Sequence, residues 1–498
     1  MDQCKRVLFG FALVVLVCPC CVADTWDQIE SQEVVIPVLW SDVEGLEELA
    51  EGEVIPNDSL LHNGNSVFSF LPQMSFVPGT DNFVIVTWSQ EGGWQGPSRA
   101  AVWKYDGQGN LLAGPTSVQD DGEESSGHGF AWDVGVFSDG SLVAAGPTRF
   151  VLADEEGVYF QGTDYPICST RHFDADLNRT GVLHSTFEPT LVCGNDDRDA
   201  DKNLKPRIAV LSNDRYVVSA LMASAKMQEA VGLTDTGATP VEKAYYRVFE
   251  KDGTPVGPTQ LAFRVGNPDE EWSFSTGSHD ITARPGGGFA MVASGTPKSA
   301  NGGSNAIQFF DNDGNTEGEL FSVVDQDLVD NGAENQEISP EISQSNGIYA
   351  LGSCVLVFGM KNFALTLFDD NKNIIRSTIN GIGQQDMAPI RESDVGQDSE
   401  GNVLMVTRGQ FPEGPDLDSD MVVMRLITKE GEYLADSFTP VPESDFQGSQ
   451  RDPVVIANEN IMVCAYLNEH VGGSVGDTAI RIFNNPFPQT TVGDWSLF

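Results

Sequence analysis

One acidic turn recurs along the whole chain and limits the architectures open to it. It follows an apolar or aromatic residue, as in Tyr105-Asp106-Gly107-Gln108-Gly109-Asn110, Phe173-Asp174-Ala175-Asp176-Leu177-Asn178 and Phe249-Glu250-Lys251-Asp252-Gly253-Thr254. Further copies are Phe310-Asp311-Asn312-Asp313-Gly314-Asn315, Phe368-Asp369-Asp370-Asn371-Lys372-Asn373, Ile427-Thr428-Lys429-Glu430-Gly431-Glu432 and Phe483-Asn484-Asn485-Pro486. Copies recur every 50–75 residues or so, a period that belongs to stacked supersecondary units.

Each unit carries a second tight turn, among them Asp139-Gly140, Asn213-Asp214, Asn346-Gly347 and Glu400-Gly401. Such pairs supply the positive φ angles of hairpins, so they mark antiparallel neighbours rather than crossovers. The strand after this turn is nearly all apolar: Phe83 to Trp88, Tyr216 to Ala220, Phe289 to Ala293, Val403 to Thr407. Runs of this kind suit strands buried on both faces. The next strand alternates and a polar fourth follows. Units often open just after a proline (Pro72, Pro206, Pro340, Pro389, Pro453), which suits the first residue of a strand. The expected fold is all-β, a β-propeller of about seven four-stranded antiparallel blades, with six or eight as alternatives. The propeller would span 67–498. Segment 24–66 precedes it and offers Val34 to Trp40 as a ring-closing outer strand; the acidic stretch from Asp42 to Glu53 reads as a helical turn or loop.

Residues 1–23 read as a signal peptide, with Lys5 and Arg6 before the apolar run Val7 to Val17 and a small-residue cleavage site at Cys21-Val22-Ala23. The expected location is secreted and extracellular. A lipid-anchored cell surface is the alternative, because Cys18, Cys20 and Cys21 lie at the end of that run. No later stretch reads as a transmembrane segment. The chain carries a formal charge of −45, which becomes −46 once Asp2, Lys5 and Arg6 are removed. Such a surface repels nucleic acid and anionic lipid.

Cys168 and Cys193 flank the second copy of the acidic turn at equal distances from its neighbourhood, so they are a candidate disulfide, the alternative being two buried thiols. Cys354 and Cys464 lie in apolar strands and read as small buried hydrophobes. Asp197, Asp199, Asp201 and Asn203 place oxygen ligands at alternating positions, as calcium loops do; Asp416, Asp418 and Asp420 repeat the pattern. A solvated acidic loop is the competing reading of each, and the expectation is that no cofactor is required. Asp311, Asp313 and Asn315 read as residues capping their own turn.

Two stretches resemble a repeat found in exported bacterial proteins: Phe83-Val84-Ile85-Val86-Thr87-Trp88 with its following acidic turn, and Arg247-Val248-Phe249-Glu250-Lys251-Asp252-Gly253. In that repeat an apolar strand ends in Trp and an Arg-x-Phe-Asp-x-Asp-Gly turn follows. The resemblance spans roughly residues 67–490, implies export and a repeat fold, and brings no functional residues with it. His62, His128, His172, His184, His279 and His470 lack metal-ligand spacing, and the pair His279-Asp280 is compatible with chance. Known hydrolase, zincin and phosphate-loop motifs are missing, so no catalytic residue is assigned. The leading reading is a secreted or cell-surface binding or scaffold protein offering propeller loops to a glycan or extracellular protein. The alternative is an exported hydrolase or lyase with its site at the channel mouth. An enzyme would bring carboxylates or histidines together near the axis; a binder would expose aromatics such as Trp94 and Trp272 on loops.

Overall fold

The computed structural model describes residues 38–54, 67–91, 98–119, 132–148, 152–153, 159–160, 167–188, 206–222, 243–263, 272–297, 304–323, 333–357, 360–384, 393–410, 420–442, 449–469 and 476–487. The described chain is a ring of seven antiparallel blades with a single short 3₁₀ turn, Trp40–Asp42. The first strands of the blades are Val67–Phe76, Asp133–Val136, Arg207–Val210, Trp272–Ala283, Ala333–Ser345, Ser393–Gln397 and Ser449–Ala457. Each lies against the first strand of the next, and that of blade 7 lies against that of blade 1. Residues 34–498 form one compact unit.

The core consists of seven apolar layers, one between each pair of consecutive blades. The second strands explain why. In blade 1 (Phe83–Glu91), Val84 and Val86 face blade 2, whereas Phe83 and Ile85 face blade 7. With period-two alternation and a partner on both sides, every position must be apolar. Val84, Val86, Val217 and Met291 are accordingly inaccessible to solvent. Fourth strands lie outermost; Leu111–Ser117 has no buried residue.

The acidic turn has a repeated internal geometry. Asp106 Oδ1 accepts from the backbone N–H of Gln108 and Asn110, at 2.9 and 2.8 Å. Asp174, Asp311 and Asp369 do the same two and four residues on. Asp311 is therefore a turn cap, as its sequence context suggested. In six of the seven copies the turn closes on a positive φ, taken by Gly109, Gly253, Gly314 and Gly431 and by Leu177 and Lys372. The residue two before the turn aromatic reaches outward: Arg171 Nη1 donates to Gly181 O, Arg247 Nε to Gly257 O and Gln308 Nε2 to Gly318 O. The Arg-x-Phe-Asp-x-Asp-Gly pattern, met in part by each copy, thus encodes an outer-strand tie, a core aromatic, a cap and a left-handed residue. Replacing Asp311 with Ala should remove two backbone hydrogen bonds at one turn and cost about 1 kcal/mol in a denaturant titration.

Ring closure uses the N-terminal segment in a register the sequence did not reveal. Glu48–Val54, inside the acidic stretch expected to be a turn or loop, is the fourth strand of blade 7, pairing from Glu48↔Phe483 to Val54↔Thr478. Within the hydrophobic stretch expected to provide that strand, Val38–Leu39 instead pairs in parallel with Phe438–Thr439 of blade 6.

Candidate functional site at the propeller axis

First strands run toward a tight turn, and four residues before its opening residue each presents a side chain to the crowded axis. That position holds Gln73, Asp133, Arg207, Asp280, Glu341, Asp394 and Val454 in blades 1 to 7. Two residues further on the ring is too tight for ordinary side chains in places. A Cβ on Gly135 would come within 2.7 Å of Val210, and one on Gly396 within 3.0 Å of the Val455 carbonyl oxygen.

Three of the axial carboxylates staple one blade to the next. Asp133 accepts from Val134 N and, across the interface, from Ile208 N, both at 2.7 Å. Asp280 accepts from Ile342 N at 2.7 Å, and Asp394 from Val395 N and Val455 N, each at 2.8 Å. The staples leave the even-numbered blades 2, 4 and 6 and land in blades 3, 5 and 7. In those odd blades, as in blade 1, a proline precedes the axial residue: Pro72, Pro206, Pro340 and Pro453. Arg207 ties one stapling acid to the fourth carboxylate, with Nε 3.2 Å from Asp280 Oδ1 and Nη2 3.2 Å from Glu341 Oε1. Its Nη1 is buried and makes no hydrogen bond. Beside them His279 Nε2 lies 2.8 Å from Ser219 Oγ, both residues buried.

Four carboxyl groups therefore surround one guanidinium in a nearly dry environment. Burial pushes Asp133 above the usual carboxylate range, with Arg207 opposing the rise. Burial and the neighbouring Glu341 charge push Asp280 well above it. Burial pushes Asp394 up to about 7. Burial works against the Arg207 charge, but Glu341, Asp280, Asp133 and Asp394 outweigh it and the guanidinium is held charged. The ring can clamp blades together and hold protons. Its backbone-bonded oxygens are already committed to the fold.

Most of the sequence-assigned site residues, Asp197, Asp199, Asp201, Asn203 and Cys193, lie outside the described residues, as do Asp416, Asp418, Trp94 and the side chain of Trp272. Cys168 is a buried thiol pushed up to about 12 by burial. Asp420 is held by Arg408 and by Ser449 Oγ at 3.3 Å. Among the described residues no group of three or more His, Cys, Asp or Glu side chains is arranged for a metal. Of the described histidines, His172 bonds Tyr216 at 3.1 Å and burial lowers its pKa to about 4.

The sequence signal for the ring was available but unread. Arg207 and Glu341 each follow one of the strand-opening prolines, at the 134-residue separation of Pro206 and Pro340, and they are ion-paired. The pair His279-Asp280, read as compatible with chance, contributes a staple to the same ring.

No family model matches this chain, and no curated protein is similar to it in sequence. Solved structures similar to it include the polysaccharide lyase Uly1, 10% identical over 80% of this chain and 88% of that one, with a TM-score of 0.46. The Hadza microbial sialidase Hz136 is 11% identical over 90% of this chain and 97% of that one, with a TM-score of 0.43. The alpha-L-arabinofuranosidase from Podospora anserina is 10% identical over 60% of this chain and 95% of that one, with a TM-score of 0.32. Likeness at that level says nothing about the chemistry of this chain. Among the described residues no helix is long and apolar enough to cross a membrane.

Proposed function

We propose that this is a secreted or surface-held binding protein whose ring offers one rim to a glycan or an extracellular protein. The supporting observation is an asymmetry between the two rims. Strand one to strand two, and strand three to strand four, are joined by tight turns such as 137–141, 311–315 and 398–402, all on one rim. The strand ends from which the variable connections depart, for example Thr148 to Ile167 and Met222 to Lys243, all lie on the opposite rim. Long connections on a rigid scaffold are the usual place for recognition. The axial groups, by contrast, are engaged between blades.

A glycan array probed with the chain from Asp24 onward, in calcium and in chelator, tests this reading. Retention of a defined glycan class, blocked by the same glycan in solution, supports it; calcium dependence would bring in the loop from Asp197 to Asn203. An array without any hit, together with no captured extracellular protein, counts against it. A second reading, an exported hydrolase or lyase, draws on the axial carboxyls: pKa values raised by burial suit a general acid. Turnover of a polysaccharide that Asp280→Asn abolishes while binding survives would favour the enzyme.

A further inference from the structure

We propose that the axial ring is a proton-dependent lock, in which Asp133, Asp280, Glu341 and Asp394 around Arg207 hold the blades tightly in mild acid and loosen them in alkali. The geometry carries the idea. Arg207 contacts two carboxyls directly, and the fields of Asp133 and Asp394 also act on it, so full ionisation leaves the ring with three uncompensated negative charges. The groups sit on the first strands of blades 2 to 6, and first strands form the contacts that close the ring. Repulsion there acts on every staple at once.

Two further titratable groups lie beside the ring. Cys464, on the second strand of blade 7 (Ile461–Glu469), lies within electrostatic reach of Asp394 and is neutral, its thiol pushed up by burial. His279 is buried against Ser219. The axial positions of blades 1 and 7, Gln73 and Val454, carry no charge.

Carboxyl groups whose pKa rises on folding contribute stability that is complete below their unfolded value near 4 and is lost as pH climbs to the folded value. For Asp394 the loss runs up to about 7, and Asp280, also raised by burial and by the Glu341 charge, adds to it. In that window each proton held by the folded ring and released on unfolding makes the unfolding constant rise about tenfold per pH unit. Surface repulsion in a chain of charge −45 would act in the same direction, but salt screens it, whereas the ring is shielded from salt.

The test is a series of thermal melts of the chain from Asp24 onward, pH 5 to 9, in low and in molar salt, beside Glu341→Gln. The wild type should lose melting temperature as pH rises in both salts, and Glu341→Gln should flatten the loss in molar salt. A melting temperature that is level or rising from pH 5 to 8 in molar salt overturns the lock. So does an unchanged slope in Glu341→Gln. Should that variant not fold, proton release on unfolding of the wild type, measured by the buffer dependence of the calorimetric enthalpy at pH 6.5, decides the matter: about one proton or more supports the lock and none overturns it.

Discussion

Removing residues 24–56 from the chain that starts at Asp24 should collapse the last blade, lowering the melting temperature by 10 °C or more or leaving the chain insoluble. Among the described residues Glu48–Val54 pairs with the outer edge of Gly476–Asn484 from Thr478 to Phe483, leaving only a single bridge from Phe68 to Gly476 besides it. Without Glu48–Val54 most of that edge is open to pairing with other molecules. Val43 and Leu46 are buried in the layer between blades 6 and 7, and Trp40 packs on Phe483 with ring centroids 5.9 Å apart. Each such apolar side chain is worth about 1.5–3 kcal/mol when fully buried. Arg481, whose side chain is only 7% exposed, is paired with Glu48 at 3.2 Å and Glu51 at 2.5 Å. With its covering strand gone the guanidinium is open to water, so each lost ion pair adds only about 0.2–1 kcal/mol. The combined loss is comparable to the whole stability of an ordinary domain. A synthetic peptide of residues 38–54 should restore the melt by adding the missing strand in trans. A truncated chain melting within about 2 °C of the full one would show that the ring closes without this strand.

The second large effect is expected at Gly288, in the first turn of blade 4. Its φ is +81°, and a Cβ there would lie 2.0 Å from the Phe310 carbonyl oxygen and 2.9 Å from Asp311 Cα. Both are backbone atoms, so no rotamer change makes room, and the register Phe289↔Phe310 would have to break. Gly288→Ala should cost at least about 3 kcal/mol, beyond the roughly 1 kcal/mol of an ordinary alanine at positive φ. Gly79 is the control, because it shares the conformation, at φ +73°, with nothing within 4 Å of a Cβ. Gly79→Ala should cost only about 1 kcal/mol. Equal denaturation midpoints for the two variants would refute the clash.

The blade number and the place of the inner strands were legible because their causes are local. Asx caps and positive-φ residues stop strands within a few residues, and a strand covered on both faces has to be apolar throughout, as Phe83 to Val86 is. The closing strand was not legible. An outermost strand has one covered face and one wet one, so Glu48-Leu49-Ala50-Glu51-Gly52-Glu53-Val54 reads like a loop, and its partner lies some 430 residues away. The axial ring escaped for a related reason. Blades 2 to 6 each contribute one charged side chain at the axis, unremarkable within its own unit, and only closure of the ring brings Asp133, Arg207, Asp280, Glu341 and Asp394 into one electrostatic field. Local chemistry in the sequence determined the blades; the meeting of distant, individually ordinary residues was decided by the tertiary structure, since burial and charge at the axis exist only once the circle is complete.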